Sequence, residues 1–252
     1  MVASEVSTQI DLQSLLRAAE TPRSEHSVRL LSLIGPRELS YILEGVLNCE
    51  ARRSCLVQRP YLHILGFEKL ILAQSSDESC VRLHIWSNDE PALSTDDVHN
   101  HMWNFSSKII YGKLAVTTYE TSKSTEDSAY SYEYNSSLLQ NGNHHLTFTG
   151  RSYVRVISNA TMLAGQTYGL QSNEFHTTCN LEDTVTLVLQ GPRVSNETRV
   201  IKRNFLGQTL DFPPLKRYSA EVGRSKLGEL ASRLASRQIY GIASGSAHPS
   251  SI

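Results

Sequence analysis

The residues of clearest chemical meaning are His99, Asn100 and His101. On a β-strand, side chains two apart point to the same face, so a His-x-His step presents two imidazoles side by side. That arrangement suits cis coordination of one metal, and imidazole favours zinc, copper, iron or nickel over calcium or magnesium. Taken alone, the step fits two exposed histidines on a strand edge equally well. A third histidine, His176, lies much further along in EFHTTCN, a separate β-like segment.

With His176 included, the pattern resembles the cupin superfamily. Its first motif, G-x5-H-x-H-x(3,4)-E-x6-G, is met by His99, His101 and Gly112, and its second, G-x5-P-x-G-x2-H-x3-N, by Gly165, His176 and Asn180. The departures are Leu93 for the opening glycine, and Gln171 and Asn173 for the proline and glycine of the second motif. The glutamate ligand is missing too, because its place falls on Phe105 or Ser106. The resemblance covers about residues 60–195 and implies a mainly β fold, a cupin jelly-roll barrel, with a metal on His99, His101 and His176.

Three neutral histidines leave a divalent ion its full charge and open positions for a chelating substrate and dioxygen. Such a site is similar to that of the three-histidine iron dioxygenases, the cysteine dioxygenase-like branch among them. That likeness implies iron(II), with other divalent metals as alternatives, and oxidation of a small polar metabolite such as an amino acid or thiol. The branch's Ser-x-His-x-Tyr run is absent from the comparable segment DTVTLVLQGPR, so substrate recognition is expected to differ. Two other readings stay open. One is a non-redox metal cupin (an isomerase, lyase or ligand-binding protein) using the ion as a Lewis acid. The other is a cupin that has lost its metal.

Residues around the histidines come next. Arg82, His84 and Trp86 share one face of CVRLHIW. If that face is inward, Arg82 can hold a substrate carboxylate and Trp86 can wall the pocket. The companion face, Val81, Leu83 and Ile85, is the more natural core. Trp103, Phe105 and Tyr111 share the parity of the His-x-His step if no bulge intervenes, which would place them beside the metal. Arg155, Tyr153 and Arg193 read as surface. His144 and His145 cannot share a metal, and His26, His63 and His248 have no partner pattern. Cys179 is out of parity with His176 and reads as a small buried apolar residue.

Positioning these residues requires a scaffold. Residues 1–60 read as a helical preface, with helices near 8–20, 25–34 and 37–48, the first capped by Ser7 or Thr8. Residues 61–195 carry short alternating strands separated by Gly, Asn, Ser and Asp, the pattern of a sandwich or barrel. The polar run at 121–131 reads as a hairpin tip. After Gln190-Gly191-Pro192 the chain is expected to leave the barrel for a C-terminal extension, 196–252, with an amphipathic helix at 225–240 and a frayed tail.

A formal net charge of -1 gives no nucleic-acid footprint. There is no bilayer-spanning apolar run, no signal-peptide pattern and no phosphate loop. The expectation is a cytoplasmic protein with free thiols, a small-molecule substrate, and a possible homodimer as in many cupins.

Overall fold

The computed structural model describes residues 10–49, 60–63, 66–87, 97–122, 129–138, 144–212 and 216–243. Ser7, Thr8, Leu93, residues 123–128 of the expected hairpin tip and the tail from 244 lie outside them.

Three helices come first: α1 (Leu12–Glu20), α2 (Glu25–Ser32) and α3 (Pro36–Leu47). A helix start leaves backbone N–H groups without partners, and each start here supplies one. Asp11 accepts from the Ser14 N–H at 2.8 Å, so the cap of α1 is the aspartate beside the first leucine. Ser24 Oγ accepts from the Ser27 N–H at 3.2 Å. Pro36 opens α3, where its missing N–H costs nothing, and Glu38 accepts from the Gly35 N–H at 2.9 Å. A fourth helix, α4 (Ala220–Ala243), ends the described chain.

The strands form two antiparallel sheets. The first runs in the order β1 (Tyr61–Leu62), β2 (Phe67–Gln74), β3 (Cys80–Trp86), β11 (Thr184–Arg193), β5 (Trp103–Tyr111), β9 (Thr167–Leu170). The second runs β13 (Thr209–Phe212), β8 (His144–Leu163), β6 (Lys113–Ser122), β10 (Phe175–Asn180), β4 (Val98–His99), β12 (Thr198–Lys202), β7 (Ala129–Leu138). β7 also pairs with β8, so the second sheet closes on itself. Closure removes free edges that would otherwise invite pairing.

Two positions turn on glycine. Gly112 sits at φ +88° between β5 and β6, where an added Cβ would collide with Asp183 O and Thr184 Oγ1. Gly165 holds φ +89° between β8 and β9. Both backbone conformations are disfavoured for a residue with a Cβ.

The sheets continue past residue 195. Gly191 and Pro192 lie within β11 at a register shift between Gln190 and Arg193, so this Gly-Pro marks a bulge and not an exit. β12 then pairs with both β4 and β7. It escapes sequence reading because its buried Val200 and Ile201 are adjacent and do not alternate.

β3 and β11 are buried on both faces. Val81 and Leu83, with Val185, Leu187 and Leu189, meet Leu15, Leu39, Leu43, Leu227 and Leu234 of the helices, all at 0% exposure. This helix-covered face is the main apolar core, each such side chain contributing about 1.5–3 kcal/mol. The opposite face of the same strands lines a cavity between the two sheets.

Candidate metal centre

β4 ends at His99, in the second sheet, and β5 begins at Trp103, in the first. Asn100, His101 and Met102 carry the chain across, so the His-x-His step does not lie on one continuous strand. The rings still meet, with centroids 4.9 Å apart and planes at 85°.

Hydrogen bonds fix the crossover. Buried Asn100 accepts from the Arg199 N–H through Oδ1 at 2.6 Å, and its own N–H donates to Arg199 O at 3.2 Å. The His101 N–H donates to Ser172 O at 3.3 Å, and the Ser172 N–H donates to Asn104 Oδ1 at 2.9 Å. The loop before β10 is thereby tied to the crossover.

His176 on β10 is the direct register partner of His99 on β4. Their ring centroids are 4.7 Å apart. His101 Nε2 and His176 Nε2 approach to 2.9 Å. One ring nitrogen from each of the three histidines lies within 4.8 Å of the others. The Nδ1–H of His99 donates to the Asp97 carbonyl at 2.8 Å, which leaves its Nε2 lone pair for a ligand role. Burial holds all three imidazoles below the usual 6.5, and the neighbouring rings push His101 and His176 further down. Neutral imidazole is the form that binds metal.

The cluster fits a transition-metal ion. Two nitrogens each about 2.1 Å from one ion in cis positions stand about 3 Å apart, close to the His101–His176 approach. Among the described residues no carboxylate completes the set. Phe105 stands with its ring 5.1 Å from His101 and 5.9 Å from His176. The nearby Asp97 carboxylate is held in a buried ion pair with Lys202.

The three histidines share a cavity of ≈ 220 Å³ with Arg82, Trp86, Trp103 and Phe105, so the Arg82 face of β3 is the inward one. Tyr111 is elsewhere. A register shift lets β5 advance two residues, from Ile109 to Tyr111, while β11 advances one. That bulge turns Tyr111 to the helix side, where its hydroxyl accepts from Arg233 Nη2 of α4 at 2.5 Å. Cys179 is exposed and not buried: its parity against His176 carries it out of the cavity. Arg155 and Arg193 form half-exposed ion pairs with Glu120 and Glu78, as surface residues do.

Sequence reasoning missed His63 and Lys69, which also line the cavity, and gave His84 no role beyond its face on β3. Lys69 is the register partner of His84, and its alternation with Phe67 along β2 was the available signal. Its Nζ lies 5.8 Å from the centre of the Trp103 ring, and Arg82 Cζ lies 5.4 Å from it. Burial and the Arg82 charge hold the Lys69 ammonium below its ordinary pKa. His63 stacks on Phe67 at 4.4 Å, and Phe67 on His84 at 4.3 Å. Burial holds His84 well below 6.5 and pushes the Tyr168 hydroxyl up to about 12.

No family model matches the chain, and no curated protein matches it. Among solved structures it is similar to the crystal structure of Drosophila melanogaster CENP-C bound to CAL1, at 9% identity. That match covers 61% of this chain and 94% of the other with a TM-score of 0.33, a likeness too slight to carry an argument. Among the described residues no helix is long and apolar enough to cross a membrane.

Proposed function

We propose that this chain is a cupin-type metalloenzyme, a jelly-roll barrel with a helical cover, that oxidises a small polar metabolite with dioxygen. The observation that carries the reading is the convergence of His99, His101 and His176 in a buried, aromatic-walled cavity with Phe105 where a carboxylate ligand would stand. Iron(II) held there would supply a redox-active site through which electrons pass from the organic substrate to dioxygen. The protein's part is to present three uncharged donors, so that none of the ion's charge is cancelled by the chain and an anionic or chelating donor is drawn in. Phe105 and Trp103 screen the His101 side of the cradle from water. The Asp97 carbonyl keeps the proton of His99 on Nδ1.

Oxygen-electrode measurements on the full chain with cysteine, cysteamine and other small amino acids or thiols test this. Oxygen uptake that needs both added ferrous iron and the organic substrate is the expected result. Tight zinc or nickel with no oxygen uptake from any such compound would overturn it in favour of a non-redox metal cupin.

A further inference from the structure

The same cavity carries a second set of groups that the metal cradle does not use. Arg82 is only 3% exposed, yet it donates to the Gln190 amide oxygen and, among the described residues, to no carboxylate. Its Nε–H is buried with no partner. The indole N–H of Trp103 is likewise buried and unpartnered. Lys69 sits over the rings of Tyr61 and Trp103, and no ion pair neutralises it among the described residues. A guanidinium, an ammonium and an indole N–H therefore gather around one ring, all donors.

Buried cations without counter-charge are expensive, and donors left without partners ask for an acceptor. Among the described residues Asp97 is the carboxylate on the cavity wall, and it is committed to Lys202. Nothing among the described residues supplies the missing partner, and an anion from outside the chain would. The wall near these cations is flat and aromatic, with His84 stacked on Phe67 at 4.3 Å and Phe67 and Trp86 packed at 4.9 Å. Trp103 stacks 5.9 Å from His101, so the cations lie one indole away from the metal cradle.

We infer that Arg82, Lys69 and the Trp103 N–H form an anion subsite for the carboxylate of an aryl or similarly flat organic acid, whose body lies on Phe67 and Trp86 and whose far end faces the three histidines. The carboxylate end stands on this geometry alone; the assignment of the far end rests on the reading of the histidines as a metal centre. The inference sharpens the substrate class from a small polar metabolite to an acid with a planar body between its carboxylate and its reacting end.

The two tryptophans of the chain, Trp86 and Trp103, both line the cavity, so intrinsic fluorescence reports its occupancy. Phenylacetate titrated into the full chain should change that fluorescence saturably, while phenylacetamide, its uncharged analogue, should bind at least tenfold more weakly. Arg82→Gln should weaken phenylacetate binding at least tenfold and Arg82→Lys less, with a cooperative thermal melt showing that each variant folds. Lys69→Met should weaken it as well, and Arg155→Gln, on the surface, should not. Equal binding of acid and amide, no binding of either, or wild-type affinity in folded Arg82→Gln would overturn the subsite. Repeating the titration with His176→Ala separates the two claims. Retained, Arg82-dependent binding supports the subsite even if metal analysis fails to support the centre.

Discussion

The two faces of β3 and β11 are both buried, and they are built from opposite materials. Towards the helices stand Val81, Leu83, Val185, Leu187 and Leu189, aliphatic and closely packed. Towards the second sheet stand Arg82, His84, Thr186 and Gln190, interleaved with Trp86 and Val188. Unpartnered polar atoms on these strands, Arg82 Nε, His84 Nε2 and Thr186 Oγ1, all fall on that second face. Alternation along one strand can thus separate stability from chemistry: the helix face carries the hydrophobic free energy that offsets the cost of the polar face.

Substitutions on the two faces should therefore fail differently. Leu187→Ala on the helix face should cost about 2–5 kcal/mol in denaturant unfolding, with metal bound per folded molecule unchanged. Loss of metal at undiminished stability would break the division.

Acidification should act through the other face. His84, His99, His101 and His176 are all held below 6.5, chiefly by burial. As pH falls below about 6.5 the unfolded chain takes up protons at these histidines and the folded chain does not, so the metal-free protein loses stability on the acid side. Thermal melts of metal-free protein between about pH 8 and pH 5 should show the decline, and a flat profile would contradict the assignment.

Smaller effects sharpen the contrast. Tyr111→Phe removes the hydrogen bond from Arg233 and should cost about 1 kcal/mol while leaving metal and ligand binding alone, because the β5 bulge puts Tyr111 on the helix side. Altered metal affinity in this variant would place Tyr111 back at the site. Thr186→Val replaces a buried, unpartnered hydroxyl by a methyl of similar size and should stabilise the fold by about 1 kcal/mol or less. A clear loss of stability would mean that the hydroxyl has a function on the polar face.

Much of this was legible in the sequence because it rests on local rules. The leucine spacing marks the helices, the alternation in CVRLHIW separates its two faces, and the histidine spacing picks out the cluster. What escaped depends on pairing. Tyr111 followed its expected parity until one extra residue in β5, visible only against β11, turned it away. Gly191-Pro192 read as a turn because a bulge inside a strand uses the same residues. The His-x-His step was assigned to one strand, whereas its second histidine stands on a crossover between sheets and is placed by hydrogen bonds to Ser172 and around Asn100. Lys69 was overlooked because a lysine on a half-polar strand is usually solvated, and only the closure of the second sheet over β2 makes it a wall of the cavity.

The central claim is that three histidines on β4, the crossover and β10 form one metal centre. Elemental analysis after dialysis against ferrous, zinc and nickel ions, on the wild-type chain and on His99→Ala, His101→Ala and His176→Ala, tests it most directly. The account predicts about one ion per wild-type chain and none retained by any of the three variants, each with its circular dichroism intact. Metal retained at wild-type stoichiometry in the folded variants, or none held by the wild-type chain under any of these ions, would contradict it.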